Sequence, residues 1–200
     1  MTDLTAGLQQ NLKGRVCVIG IGNRLKGDDA AGPELIDRLT GRSCFHPASP
    51  VSPVVCHRVN WLSWLRRIPH RCSAARRREL HCLDVGVAPE NYLEKIVSIN
   101  PDTILLVDAM DFGGEAGTCR LFAADQITGG KLSSHALSLR MTCDYLQQRI
   151  SARIFILGIQ PAQLNMNRPL SAAVKAAVDK LAAELGISSA SSPPPAPRTA

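Results

Sequence analysis

The sequence predicts an α/β fold, a three-layer α/β/α sandwich around a mostly parallel, twisted sheet of about five strands. Three observations predict it. Short apolar runs alternate along the chain with segments of helical period, the pattern of a sheet covered by helices. The run TILLVDA, Thr103 to Ala109, is apolar nearly throughout, as expected of a strand buried on both faces. The first run, Arg15 to Ile21, leads through Gly20 and Gly22 and a loop into adjacent acids, Asp28 and Asp29, at a helix start. Ligands of such sheets bind outside the carboxyl ends of the strands, so that acid pair is where a site is sought.

Each element has its own signal. Asp28 or Asp29 is suited to cap the first core helix, which carries Leu35, Ile36 and Leu39, accepts Pro33 in its first turn and stops near Gly41. LHCLDVG, Leu80 to Gly86, reads as a strand. Ala88 to Asn91 opens a helix to about Ile99, with Leu93, Ile96 and Val97 on one face. After TILLVDA, the segment GGEAGT makes a turn and CRLFAAD, from Cys119, a strand. Ser133 or Ser134 caps a helix through Gln148, with Leu137, Met141 and Leu146 expected on its inner side. Arg153 to Ile159 is the last strand. Pro169 begins an alanine-rich helix through Leu185, striped by Val174, Val178 and Leu181.

This divides the chain into an N-terminal extension (1–14), a core domain (15–186) and a Ser/Pro/Ala-rich tail (187–200) expected to be disordered. The segment 42–78 is read as an insertion. From Gly41 to Leu80 there are eight arginines, no lysine and one acid, Glu79. That stretch carries +7 while the whole chain carries +6, so the remainder is close to neutral and the basicity does not point to nucleic acid. Mixed pairs within it and just after it, Cys44/His46, Cys56/His57, His70/Cys72 and His81/Cys82, have the ligand chemistry of zinc but no zinc spacing. A surface loop or a misjoined segment is the plainer reading, and contact with an acidic partner a third. No run is long enough to span a bilayer, and the start lacks the charge and apolar core of an export signal. Seven cysteines without such a signal fit reduced thiols in a cytoplasm.

Three strand or helix ends carry proton-active or metal-compatible side chains: Asp29, Asp108 (with Asp111 just beyond) and His135. Two carboxylates and an imidazole suit a divalent metal of borderline hardness, or acid/base work. Taken singly, each also has a plain structural reading as a cap or a solvated end. The pattern Gly20-x-Gly22 resembles a dinucleotide loop, but the next glycine is Gly27, no Walker lysine follows, and an acid pair would repel a pyrophosphate.

Five motifs in order, GIGNRLKGDDAAGP, DVGVAPEN, ILLVDAMDFG, SSHALSL and FILGIQP, resemble those of the [NiFe]-hydrogenase maturation endopeptidases. GIQP and VDAMD are most similar to the peptidase serving the formate-hydrogenlyase-type (hydrogenase 3) large subunit. The resemblance covers nearly all of 15–185 outside the insertion and implies a phosphorylase/hydrolase-like sandwich. It implies an aspartic-type endopeptidase that removes the C-terminal extension of a hydrogenase large-subunit precursor after nickel insertion. The metal-contacting and catalytic residues it implies are Asp29, Asp108 and His135. Substrate handling is expected of Asp84 and of Asp28 in the first loop. The nickel is borne by the substrate, with no tightly held metal of the enzyme's own. A cytoplasmic monomer is expected, with the precursor as partner and neither nucleic acid nor membrane insertion. Two departures stand out: Asp84-Val85-Gly86 where the family has DGG, and GDDAAG where GDDGAG is commoner. The alternative reading is a non-cleaving chaperone for the nickel-loaded large subunit; the complete acid–acid–histidine set favours cleavage.

Overall fold

The alternation of side chains along three parallel strands builds two cores from one sheet. In β1 (Arg15–Ile21), Val16 and Val18 enter one apolar cluster, whereas Cys17, Ile19 and Ile21 enter the other. β4 (Thr103–Ala109) repeats this with Leu105 and Val107 against Ile104 and Leu106, and β6 (Arg153–Ile159) with Leu157 and Ile159 against Ile154 and Ile156. Every residue of β4 is buried, which explains its continuous apolar run. The computed structural model describes residues 2–41, 57–58, 79–124 and 136–187.

The remaining strands are β2 (His57–Arg58), β3 (Glu79–Gly86) and β5 (Cys119–Ala123). The sheet order is β2-β3-β1-β4-β6-β5. β3, β1, β4 and β6 run parallel, and β2 and β5 close the two edges antiparallel. Five strands of the expected sheet are present at close to their expected bounds, and the two-residue β2 adds a sixth.

One face carries α1 (Thr2–Asn11), α2 (Ala31–Thr40) and α5 (Ala172–Ile187), with Leu8, Leu35 and Val178 among its buried residues. The other carries α3 (Leu93–Ile99) and α4 (Ala136–Arg149), through Ile96, Leu139 and Leu146. The three-layer sandwich is therefore present. The stretch expected as an N-terminal extension is built into the first core: Leu8 and Leu12 are buried, and Thr5 Oγ1 donates to Glu184 of α5 at 3.1 Å. Among the described residues no helix is long and apolar enough to cross a membrane.

Several local expectations are corrected. α5 begins at Ala172, not Pro169. The inner stripe of α4 is Leu139, Cys143 and Leu146, while Leu137 and Met141 stand 74% and 62% exposed. That helix carries two apolar stripes, and the one with i, i+4, i+7 spacing is the one packed on the sheet. His81 and Cys82 are neighbours on β3, so their side chains leave opposite faces; Cys82 joins the first core and His81 Nε2 lies 3.3 Å from Glu79. The Cys/His pairs of segment 42–78, Ser133, Ser134 and tail residues 188–200 lie outside the described residues, apart from the backbone of His57 and Arg58; Ile187 ends α5.

Candidate functional site at the carboxyl edge of the sheet

The glycines of the first motif allow the first loop to close tightly over the strand ends. Gly20 and Gly32 mark the crossing of β1 and α2: a Cβ on Gly20 would lie 2.4 Å from the Gly32 carbonyl oxygen, and one on Gly32 2.4 Å from that of Ile21. Gly22 has φ +139°, and a Cβ there would sit 1.8 Å from the Asp29 carbonyl oxygen. The glycine pair is thus occupied by the chain's own backbone, which accounts for it without a dinucleotide.

Asp29 lies in a 3-10 turn, Gly27–Ala30, that leads directly into α2 and packs against β4. Its side chain is 1% exposed, and its Oδ2 accepts the backbone N–H of Asn23 at 3.0 Å. Asn23 in turn accepts the Leu25 N–H on its side-chain oxygen at 2.9 Å. Neither Asp28 nor Asp29 caps the helix; no side-chain cap bond is made at either start. The acids instead bond to loops.

Asp28 is fully buried and joins three segments. Its Oδ2 accepts the N–H groups of Ala162 and Gln163, at 2.8 and 3.0 Å, and its Oδ1 that of Ser171 at 2.6 Å. The Asp28 N–H returns a bond to the Gln163 carbonyl at 3.0 Å. This environment does not fit the expected substrate contact: both oxygens are held by backbone donors and no part of the side chain faces solvent. Asp28 ties the loop after β1 to the loop after β6.

Asp108 stands near the end of β4, 0% exposed, in register with Gly158 of β6. By alternation it shares the face of Ile104 and Leu106, the face covered by α3 and α4. α4 starts at the carboxyl edge on this face: it runs back to enter β6 within a few residues. Its Ser138 Oγ donates to Glu90, in the 3-10 turn Pro89–Tyr92 that follows β3, at 2.6 Å. His135 immediately precedes α4 in the chain and lies outside the described residues. Among the described residues no group of three His, Cys, Asp or Glu side chains is gathered closely enough to hold a metal ion.

Asp84 is level with Gly20 on β3 but leaves the opposite face, toward α2. Its Oδ2 pairs with Arg24 at 2.7 Å, and its Oδ1 accepts the Gly86 N–H at 3.0 Å. Arg24 also reaches Asp37 of α2 at 2.6 Å. Burial works against the charge on Arg24, but the hydrogen bonds to Asp37 and Asp84 outweigh it and raise its pKa above the ordinary value. Asp84 therefore anchors the first loop through Arg24 rather than joining Asp108 on one face.

Sequence reasoning assigned no role to Arg24 or to Gln160. Gln160, just past β6, accepts the N–H groups of Phe112 and Gly114 on Oε1, at 2.9 and 3.1 Å, and donates from Nε2 to Asp111 at 3.0 Å. Asp111 is held below the usual carboxylate range by that Gln160 bond and by the Gly113 N–H. The only signal was a buried-strand run ending in an amide. An interior glutamine is retained where it satisfies backbone donors of another segment.

A family model described as hydrogenase maturation protease matches residues 67–187. The hydrogenase 3 maturation protease of Escherichia coli is 29% identical over 160 residues, covering 80% of this chain and 81% of that protein. Two solved structures show the same fold. One is the [NiFe] hydrogenase maturation protease HycI from Thermococcus kodakarensis, with TM-score 0.66, 24% identity, and coverage of 94% of this chain and 98% of that one. The other is the endopeptidase HycI from Escherichia coli in solution, with TM-score 0.61, 24% identity, and coverage of 86% and 89%. With more than half of its length matched by the family model, this chain belongs to the hydrogenase maturation protease family.

Proposed function

We propose that this protein is an endopeptidase that removes the C-terminal extension of a [NiFe]-hydrogenase large-subunit precursor once nickel has been inserted. The observation that carries the proposal is a pair of carboxylates, Asp29 and Asp108, both buried at the carboxyl edge of one parallel sheet in a member of this family. Carboxylate and imidazole donors suit a divalent metal of borderline hardness, so a cationic counterpart fits this edge. In this reading the counterpart is the substrate's own nickel. Asp29, Asp108 and His135 complete its coordination and bring the scissile bond to the acids. One carboxylate then takes a proton from water; the water attacks the peptide carbonyl, and the amine leaves with a proton, an aspartic-type hydrolysis. The enzyme holds no resident metal and works as a cytoplasmic monomer. Asp84 and Arg24 support the first loop and so position Asp29.

The test is incubation of purified protein with nickel-loaded and nickel-free precursor, read by gel mobility and intact mass. Cleavage of the loaded form alone is expected. Asp29→Asn and Asp108→Asn should each lower its rate by about a hundredfold or more with unchanged thermal unfolding. Equal cleavage of nickel-free precursor, or full activity in Asp29→Asn, would overturn the proposal. Binding without shortening would point to the chaperone reading.

A further inference from the structure

The loops that Asp28 ties together present a group of apolar side chains outward. Leu25, in the loop after β1, is 61% exposed, and Met166, in the loop after β6, is 57% exposed; Leu164, two residues before it in the chain, is 37% exposed. These loops are held as one unit. The Asn167 N–H donates to the Leu25 carbonyl at 2.7 Å, and Lys26 and Arg168 form a parallel backbone bridge. Asp28 fixes both loops from beneath with its three backbone bonds. Large exposed apolar side chains on a rigid, hydrogen-bonded platform are costly to leave in water, and such a patch marks an interaction surface. The platform adjoins Asp29, and the bridged pair at its border is basic.

We infer that this platform, Leu25, Leu164 and Met166 bordered by Lys26 and Arg168, is the seat for the client polypeptide next to the bond to be cut. The chemistry it fits is an apolar segment flanked by carboxylates: apolar side chains cover the three exposed residues, and acidic side chains face the basic pair. This inference rests on the endopeptidase reading and names the surface by which that site holds its substrate. Asp28 is then a positioning residue, building the platform, while its neighbour Asp29 faces the reaction.

The experiment uses the full chain and the nickel-loaded precursor, with steady-state cleavage measured alongside direct binding to the Asp29→Asn protein. Leu25→Asp and Met166→Asp should each raise KM about tenfold, the size of an interface hot spot, and leave kcat within about twofold. Met166→Leu should restore the KM. Lys26→Glu with Arg168→Glu should raise KM and flatten its dependence on salt. Unchanged KM and unchanged binding in Leu25→Asp and Met166→Asp, with wild-type cleavage intact, would overturn the platform and leave the endopeptidase reading standing. No wild-type cleavage, but precursor binding that Leu25→Asp abolishes, would sink the reading and keep the platform. Loss of kcat at constant KM would also count against the platform.

Discussion

Asp28 and Asp29 are adjacent in the chain, equally buried, and differently employed. Asp28 gives both oxygens to backbone donors of the β6–α5 loop, while Asp29 accepts one N–H from Asn23 and lies beside the end of β4. Two acids in sequence read as a cap or as a pair of site residues; nothing in their identity says which turns inward to a loop more than 130 residues away. At this scale the expected outcome is specific. Asp28→Ala orphans three partly buried N–H groups and should cost about 3 kcal/mol in urea unfolding. Asp28→Asn keeps an acceptor oxygen and should cost less. A loss below about 1 kcal/mol in Asp28→Ala would show that water replaces the carboxylate.

The elements were legible because their signals are local. β1, β4 and β6 occupy the stretches read as strands, since β-branched runs bounded by turn residues leave little choice. On α4, Leu146 lies inward as expected, but Leu137 and Met141 belong to a second apolar stripe that faces outward, and only packing chooses between stripes. The Gly20–Gly32 crossing sets how closely α2 approaches β1 and hence where the acid turn sits. Gly32→Ala should gain about 1 kcal/mol of helix propensity. It should lose ~3 kcal/mol to the clash with the Ile21 and Val107 carbonyls, for a net fall in thermal stability. Gly186→Ala in α5 is the control: among the described residues nothing beyond its own helical turn lies within 4 Å of an added Cβ, so stability should rise slightly.

For the whole molecule, the reduced-thiol reading has a measurable form. Burial, with help from Asp144, pushes the Cys143 thiol from 9.0 up to about 12, and burial with Glu184 pushes Cys119 up to about 11. The folded state keeps these protons after the unfolded chain has lost them. Their contribution to stability is therefore complete below pH 9 and is lost as pH climbs toward 12. At pH 8, iodoacetamide should leave Cys119 and Cys143 unmodified in the native protein and label both after unfolding, read by peptide mass. Cys143→Ala should cost stability at pH 8 and less at pH 10.5, in urea midpoints. Ready native labelling of Cys143 would contradict its place in the core.

By itself the sequence determined the layered α/β architecture and the family to which the chain belongs. Period, turn residues and motif order are properties of neighbours along the chain. Only the tertiary structure decided that Asp28 is a staple, that Asp84 is committed to Arg24 on the other face from Asp108, and that Gln160 organises the Asp111 loop. Those roles depend on which donors a buried group meets. Partners drawn from strands and loops far apart in sequence are specified by packing, not by the residue's own neighbourhood.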